Sequence, residues 1–170
     1  MKSLRIIILF LPLILVGQNN PFSLLHYDKV LAYEYQGEGG LKIDVCLENA
    51  KEKIANTIEL NRSQVDNLEE LFTSDQSYGT TTASCFDPHF AVVYYAKDEI
   101  LAAISVCLDC NYLISSLEIP AISKKYIKVN EDYSYPAKGF SPIARKSIHA
   151  FCKEIGFDKY LKPLGSIYDD

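Results

Sequence analysis

Residues 89–95 and 100–108 are apolar on both of their alternating faces, and only a short spacer around Lys97-Asp98-Glu99 separates them. A sheet with one wet face alternates apolar and polar positions, whereas a strand apolar on both faces must be covered from both sides. Two such runs joined by a short polar spacer form an antiparallel hairpin. The chain is therefore committed to a layered structure with this hairpin, about residues 89–108, at its centre.

The flanking segments supply the layers. Leu31, Tyr33 and Tyr35 share one side of an alternating run over 29–35, which predicts a strand. After a Gly37-Glu38-Gly39-Gly40 turn, Leu41, Ile43, Val45 and Leu47 predict a second strand, with Cys46 on its more polar face. Ile54, Ile58 and Leu60 mark a third, and residues 124–129 a lysine-bearing edge strand. Asn61 as N-cap, Gln64 three residues on, and a stripe of Val65, Leu68, Leu71 and Phe72 predict a helix over 62–73. Ser141 as N-cap and Pro142 at the first helical position open a second helix over 142–155, which Gly156 ends. Its buried stripe is Ala144, Ile148, Phe151, Cys152 and Ile155. Residues 73–84 read as a mobile loop rich in Ser, Thr and Gly, and residues 132–139 as a second loop. The fold class is α+β, with an antiparallel sheet of four to six strands and two main helices.

Lys2 and Arg5 precede an apolar run over 6–16, after which the chain turns polar. A membrane span needs about 20 apolar residues. The shorter run predicts a cleavable signal peptide, residues 1–18, followed by one domain over 19–170 in the periplasm or outside the cell. Removing Lys2 and Arg5 from the 17 basic residues leaves 15 against 22 acidic ones, a net charge of −7. With no basic cluster interleaved with aromatics, the surface does not suit nucleic acid, nor an anionic membrane once the signal is cleaved. A hydrophobic content of 48% excludes a disordered chain.

Cys46, Cys85, Cys107, Cys110 and Cys152 all follow the signal segment. An oxidising compartment favours disulfides, and an odd number leaves at least one thiol unpaired. With a three-residue hairpin loop at 97–99, facing positions place Cys107 opposite His89, their Cβ atoms about 5 Å apart. Cys110 then falls opposite Phe86, beside Cys85. A two-residue loop would shift the register by one and put His89 and Cys107 on opposite faces.

Four chemistries fit such a cluster. The first is a structural disulfide between two of Cys85, Cys107 and Cys110. The second is a zinc site of Cys85, His89, Cys107 and Cys110, since three Cys and one His make a closed tetrahedral shell. The third is thiol–disulfide redox chemistry at Cys107-Leu-Asp-Cys110, where Asp109 would raise the thiolate pKa. The fourth is a Cys85 nucleophile with His89 as base, which needs a tight turn at Pro88 to bring them together. Elsewhere, Cys152 reads as core, and Cys46 as ambiguous and able to pair with Cys152. His26 and His149 read as surface residues, and Glu69-Glu70 and Asp169-Asp170 as solvated charge. No phosphate-binding loop, nucleophile elbow or His-Glu-x-x-His helix occurs.

The stretch from Tyr78-Gly79 through Cys85-Phe-Asp-Pro-His89, Val92-Val93-Tyr94-Tyr95 and Ile104-Ser105-Val106-Cys107-Leu-Asp-Cys110 resembles a group of small exported bacterial proteins. In that group a Cys-x-x-Pro-Arg/His element precedes a hairpin ending in Cys-x-x-Cys. The resemblance implies that Cys85, Pro88, Cys107 and Cys110 act as one unit, and it assigns that unit no activity. Relatives with Arg in place of His89 would have no His ligand there. The reading of the sequence is thus an exported, non-enzymatic binding or structural domain with a Cys-rich hairpin end. Its alternatives are a zinc domain and a thiol–disulfide protein, and no cofactor other than zinc is implied.

Overall fold

The computed structural model describes residues 20–169, so the signal segment 1–18 lies outside the described residues. The core is a five-stranded antiparallel sheet of order β2-β1-β4-β5-β6. Its strands are β1 (Lys29–Tyr35), β2 (Ile54–Glu59), β4 (Phe90–Ala96), β5 (Glu99–Cys107) and β6 (Tyr112–Ser115). Three helices cover it: α1 (Ile43–Asn49), α2 (Arg62–Thr73) and α3 (Pro142–Glu154). The fold is α+β, and β4 is its central strand, with every residue buried except the last.

The two faces of the hairpin find different cover. Val92, Tyr94, Ile104 and Val106 pack against the α2 and α3 stripes, including Leu68, Phe72, Ile148 and Phe151. Ala91, Val93, Tyr95 and Ala103 pack against Tyr33, Tyr35 and the α1 residues Ile43 and Cys46. Both long helices begin as their sequences dictate. Asn61 accepts from the Gln64 N–H while the Gln64 side chain accepts from the Asn61 N–H, a complete capping box. Ser141 caps α3 with Pro142 behind it.

Four segments differ from expectation. The second predicted strand is helix α1, because Ile43 and Leu47, four residues apart, share one face of a strand and equally one face of a helix. Helical winding turns Cys46 into the core, fully buried. The predicted mobile loop 73–84 contains a 3-10 turn, Asp75–Ser77, and strand β3 (Tyr78–Thr80). Tyr78 anchors it: the ring stacks on Phe140 at 5.6 Å and the hydroxyl donates to the Phe72 carbonyl at 2.9 Å. The predicted edge strand is β7 (Tyr126–Lys128), which pairs outside the main sheet with β8 (Ser134–Pro136). Strand β9 (Gly139–Phe140) then pairs with β3, so the predicted 132–139 loop carries most of two short strands.

The hairpin reaches the predicted register by another route. Ala96 pairs with Glu99, so the turn is the two residues Lys97-Asp98, not three. Two-residue turns match the twist of the strands they join. A bulge at Leu101 then inserts one extra residue, since Tyr95 pairs with Ile100 and Tyr94 with Ala102. From there to Phe90↔Val106 the pairing is the one derived from a three-residue loop.

Candidate functional site

Strands β5 and β6 are joined by the turn Leu108-Asp109-Cys110-Asn111, and Cys107 pairs with Tyr112 across its base. Asn111 sits in the left-handed region, φ 63°, which Asn tolerates better than most residues. Its buried side-chain amide donates to Thr80 Oγ1 (2.8 Å), to the Thr81 carbonyl (2.9 Å) and to the Phe140 carbonyl (3.2 Å). The turn is thereby fixed to the chain that leads into Cys85. Within it Cys107 and Cys110 are joined by a disulfide, with Cα atoms 5.2 Å apart.

The loop carrying Cys85 is held against this turn at several points. The Ala83 N–H donates to the Cys110 carbonyl at 3.0 Å, and the Tyr112 hydroxyl to the Cys85 carbonyl at 3.0 Å. The Phe86 and Tyr112 rings lie 4.9 Å apart. Beyond them the Gly37 N–H donates to the Pro88 carbonyl, and the Gly39 N–H to Asp87 Oδ1. A Cβ at Gly37 would stand 2.5 Å from the Pro88 oxygen, so only glycine allows that approach.

Three sulfurs consequently meet. Cys85 is unpaired and exposed, and its Sγ lies 3.5 Å from Cys110 Sγ. Two main-chain donors face the disulfide: the Asp87 N–H points at Cys110 Sγ (3.3 Å) and the Cys110 N–H at Cys107 Sγ (3.0 Å). Both disulfide sulfurs belong to buried residues.

His89 has its own partners. Its Nδ1 lies 3.2 Å from the Tyr35 carbonyl, which can only accept, and its ring stacks on Tyr160 at 5.4 Å. The two cysteines that a Cys85, His89, Cys107, Cys110 zinc shell requires are bonded to each other. Among the described residues no three His, Cys, Asp or Glu side chains are grouped to hold a metal ion.

The C-terminal segment adds polar contacts that sequence reasoning missed. After Gly156 the chain runs back over the sheet end, where the Tyr160 N–H donates to buried Glu34 Oε1 at 3.0 Å. Lys162 Nζ lies 2.5 Å from Asp109 Oδ2, and this carboxylate holds the Lys162 ammonium above its usual pKa. The same ion pair opposes the effect of Asp109 on the neighbouring cysteines. Arg145 Nε pairs with Asp169 Oδ1 at 2.7 Å, both side chains buried, and its Nη1 donates to the Leu108 carbonyl. His149, expected at the surface, is buried with Nε2 3.0 Å from the Lys162 carbonyl. Asp169 and Glu69, expected to be solvated, are buried as well, whereas His26 is exposed as expected. A cavity of about 30 Å³ lies between this segment and the sheet, room for a water or two but not for an organic substrate.

Cys46 and Cys152 are unpaired and packed in separate core clusters, so the pairing considered for them does not form. No family model, curated protein or solved structure matches the chain.

Proposed function

We propose that this domain is an exported thiol–disulfide exchange protein whose exchanging pair is Cys107 and Cys110. One observation carries the reading: an unpaired, exposed cysteine, Cys85, stands 3.5 Å from a sulfur of that disulfide. A disulfide that serves only to clip a turn has no use for a thiol beside it, whereas exchange proceeds by thiolate attack on a disulfide sulfur. The Asp87 N–H facing Cys110 Sγ and the Cys110 N–H facing Cys107 Sγ support the same chemistry, because each stabilises negative charge on the sulfur it faces. An oxidising compartment suits both the disulfide and the apolar N-terminal run.

The test is to equilibrate the folded mature protein in glutathione buffers of graded potential, quench with acid and count thiols by mass. The Cys107–Cys110 bond should open and reclose reversibly while the tertiary circular dichroism is kept. Persistence of the bond until denaturant is added would make it a structural clip. Stoichiometric zinc uptake by the reduced form, with loss of exchange, would favour the metal site instead.

A further inference from the structure

The three sulfurs differ in access: Cys107 and Cys110 are 1% and 0% exposed, while Cys85 lies in an exposed loop. An external thiolate therefore cannot reach the resting disulfide directly in the folded protein. Only Cys110 has the Cys85 sulfur in contact with it. Resting on the exchange reading above, we propose that the disulfide is passed outward by an internal exchange, and that Cys85 is the sulfur a partner protein's dithiol attacks.

The step balances without an added oxidant. Cys85 gives its proton to solvent, and its thiolate bonds to Cys110 Sγ. The Cys107–Cys110 bond breaks, and its electron pair leaves on Cys107 Sγ. That sulfur faces the Cys110 N–H at 3.0 Å and then takes a proton from water. One disulfide has replaced another, and the new one, Cys85–Cys110, has a sulfur in the exposed loop.

A partner thiolate next attacks Cys85 Sγ, giving a mixed disulfide, and Cys110 departs as the thiolate, faced by the Asp87 N–H. The partner's second thiolate attacks its own sulfur in that bond, closing the partner's disulfide and releasing Cys85. The partner dithiol has lost two electrons and this domain has gained them. The substrate class is a pair of cysteines in an exported polypeptide, close enough to bond.

The experiment compares the folded mature protein with its Cys85→Ser variant, using dithiothreitol as the dithiol probe. Reduction of Cys107–Cys110 is followed by acid quench and mass. The variant should be reduced slower by about tenfold or more, and the two should match once unfolded in denaturant. A Cys107→Ser variant, purified in air, should carry a Cys85–Cys110 cross-link in its peptide map. Equal native rates, or no such cross-link, would overturn the relay and leave exchange at Cys107–Cys110 standing. If neither protein is reduced before it unfolds, exchange itself fails.

Discussion

Cys46 and Cys152 lie one on each face of the sheet, wrapped by α1 and by α3, and neither is more than 1% exposed. Cys85 lies past the strand ends in an exposed loop, against a disulfide whose two sulfurs face main-chain donors. All three are unpaired thiols. Burial pushes the Cys46 and Cys152 thiols up from their ordinary pKa, and nearby Glu52 and Glu34 add to the effect. Thiolate is the nucleophile, so the core thiols are inert where an exposed one is not. What a cysteine does in this protein is therefore set by whether it lies between the layers or beyond them. The polar network of the C-terminal segment bridges the two regions, since Arg145 reaches from α3 to the Leu108 carbonyl beside the disulfide.

Breaking that bridge should have the largest effect. Arg145→Leu leaves Asp169 buried without its cation and should cost about 3–5 kcal/mol in urea unfolding. Burial pushes the Asp169 carboxyl up, but the Gly165 N–H, Arg145 and the Ser166 N–H outweigh it and hold it well below the usual range. A group with a depressed folded pKa stabilises fully above its unfolded value, about 3.9 for Asp, and loses that contribution as pH falls toward the folded one. The gap in stability between the wild type and Asp169→Asn should thus be constant above about pH 5 and close below it. A gap that stays open in acid would show that the charge on Asp169 is not what stabilises the docked segment.

The residues on either side of this comparison were unequally legible. The hairpin core could be read because strands buried on both faces lose the polar alternation, and the Asn61 and Ser141 caps because they act within one turn. Cys85 and Cys110 lie together as expected, but the pairing of β4 with β5 ends at Phe90 and Val106. The turn 108–111 held against the Cys85 loop brings them there, not Cys110 facing Phe86 along the ladder. Helix α1 was misread because Ile43 and Leu47 satisfy both periodicities. The turn signal after the motif was available in Asn111, a residue type suited to a left-handed turn position. Arg145–Asp169 and Lys162–Asp109 were not legible, because ion pairs 24 and 53 residues apart depend on where the C-terminal segment docks.

A medium effect probes the core side. Cys152→Ser exchanges a thiol for a hydroxyl between α3 and the sheet, where water cannot compensate it. The hydroxyl can bond a carbonyl one turn back in its own helix, so the cost should be about 1 kcal/mol rather than the full desolvation penalty. Urea unfolding measures it. A neutral result would mean that water reaches this thiol, and the contrast with Cys85 would lose its basis.

The smallest effect is expected at the residue proposed to matter most for chemistry. Cys85→Ser should change stability by no more than about 0.5 kcal/mol, the usual range for exposed positions away from a packed core. The bonds that hold its loop involve the Ala83 N–H and the Cys85 carbonyl, which the substitution keeps. The Phe86–Tyr112 contact and the Gly37–Pro88 bond are also untouched. The lost sulfur contact faces solvent on one side, so a hydroxyl there stays hydrated. The same change at two cysteines should thus separate them: measurable destabilisation with unaltered exchange at Cys152, and slowed exchange with unaltered stability at Cys85. Paired urea melts and reduction rates on the two variants read this out. A Cys85→Ser variant destabilised by more than about 1 kcal/mol would place that thiol among the packing groups of the fold.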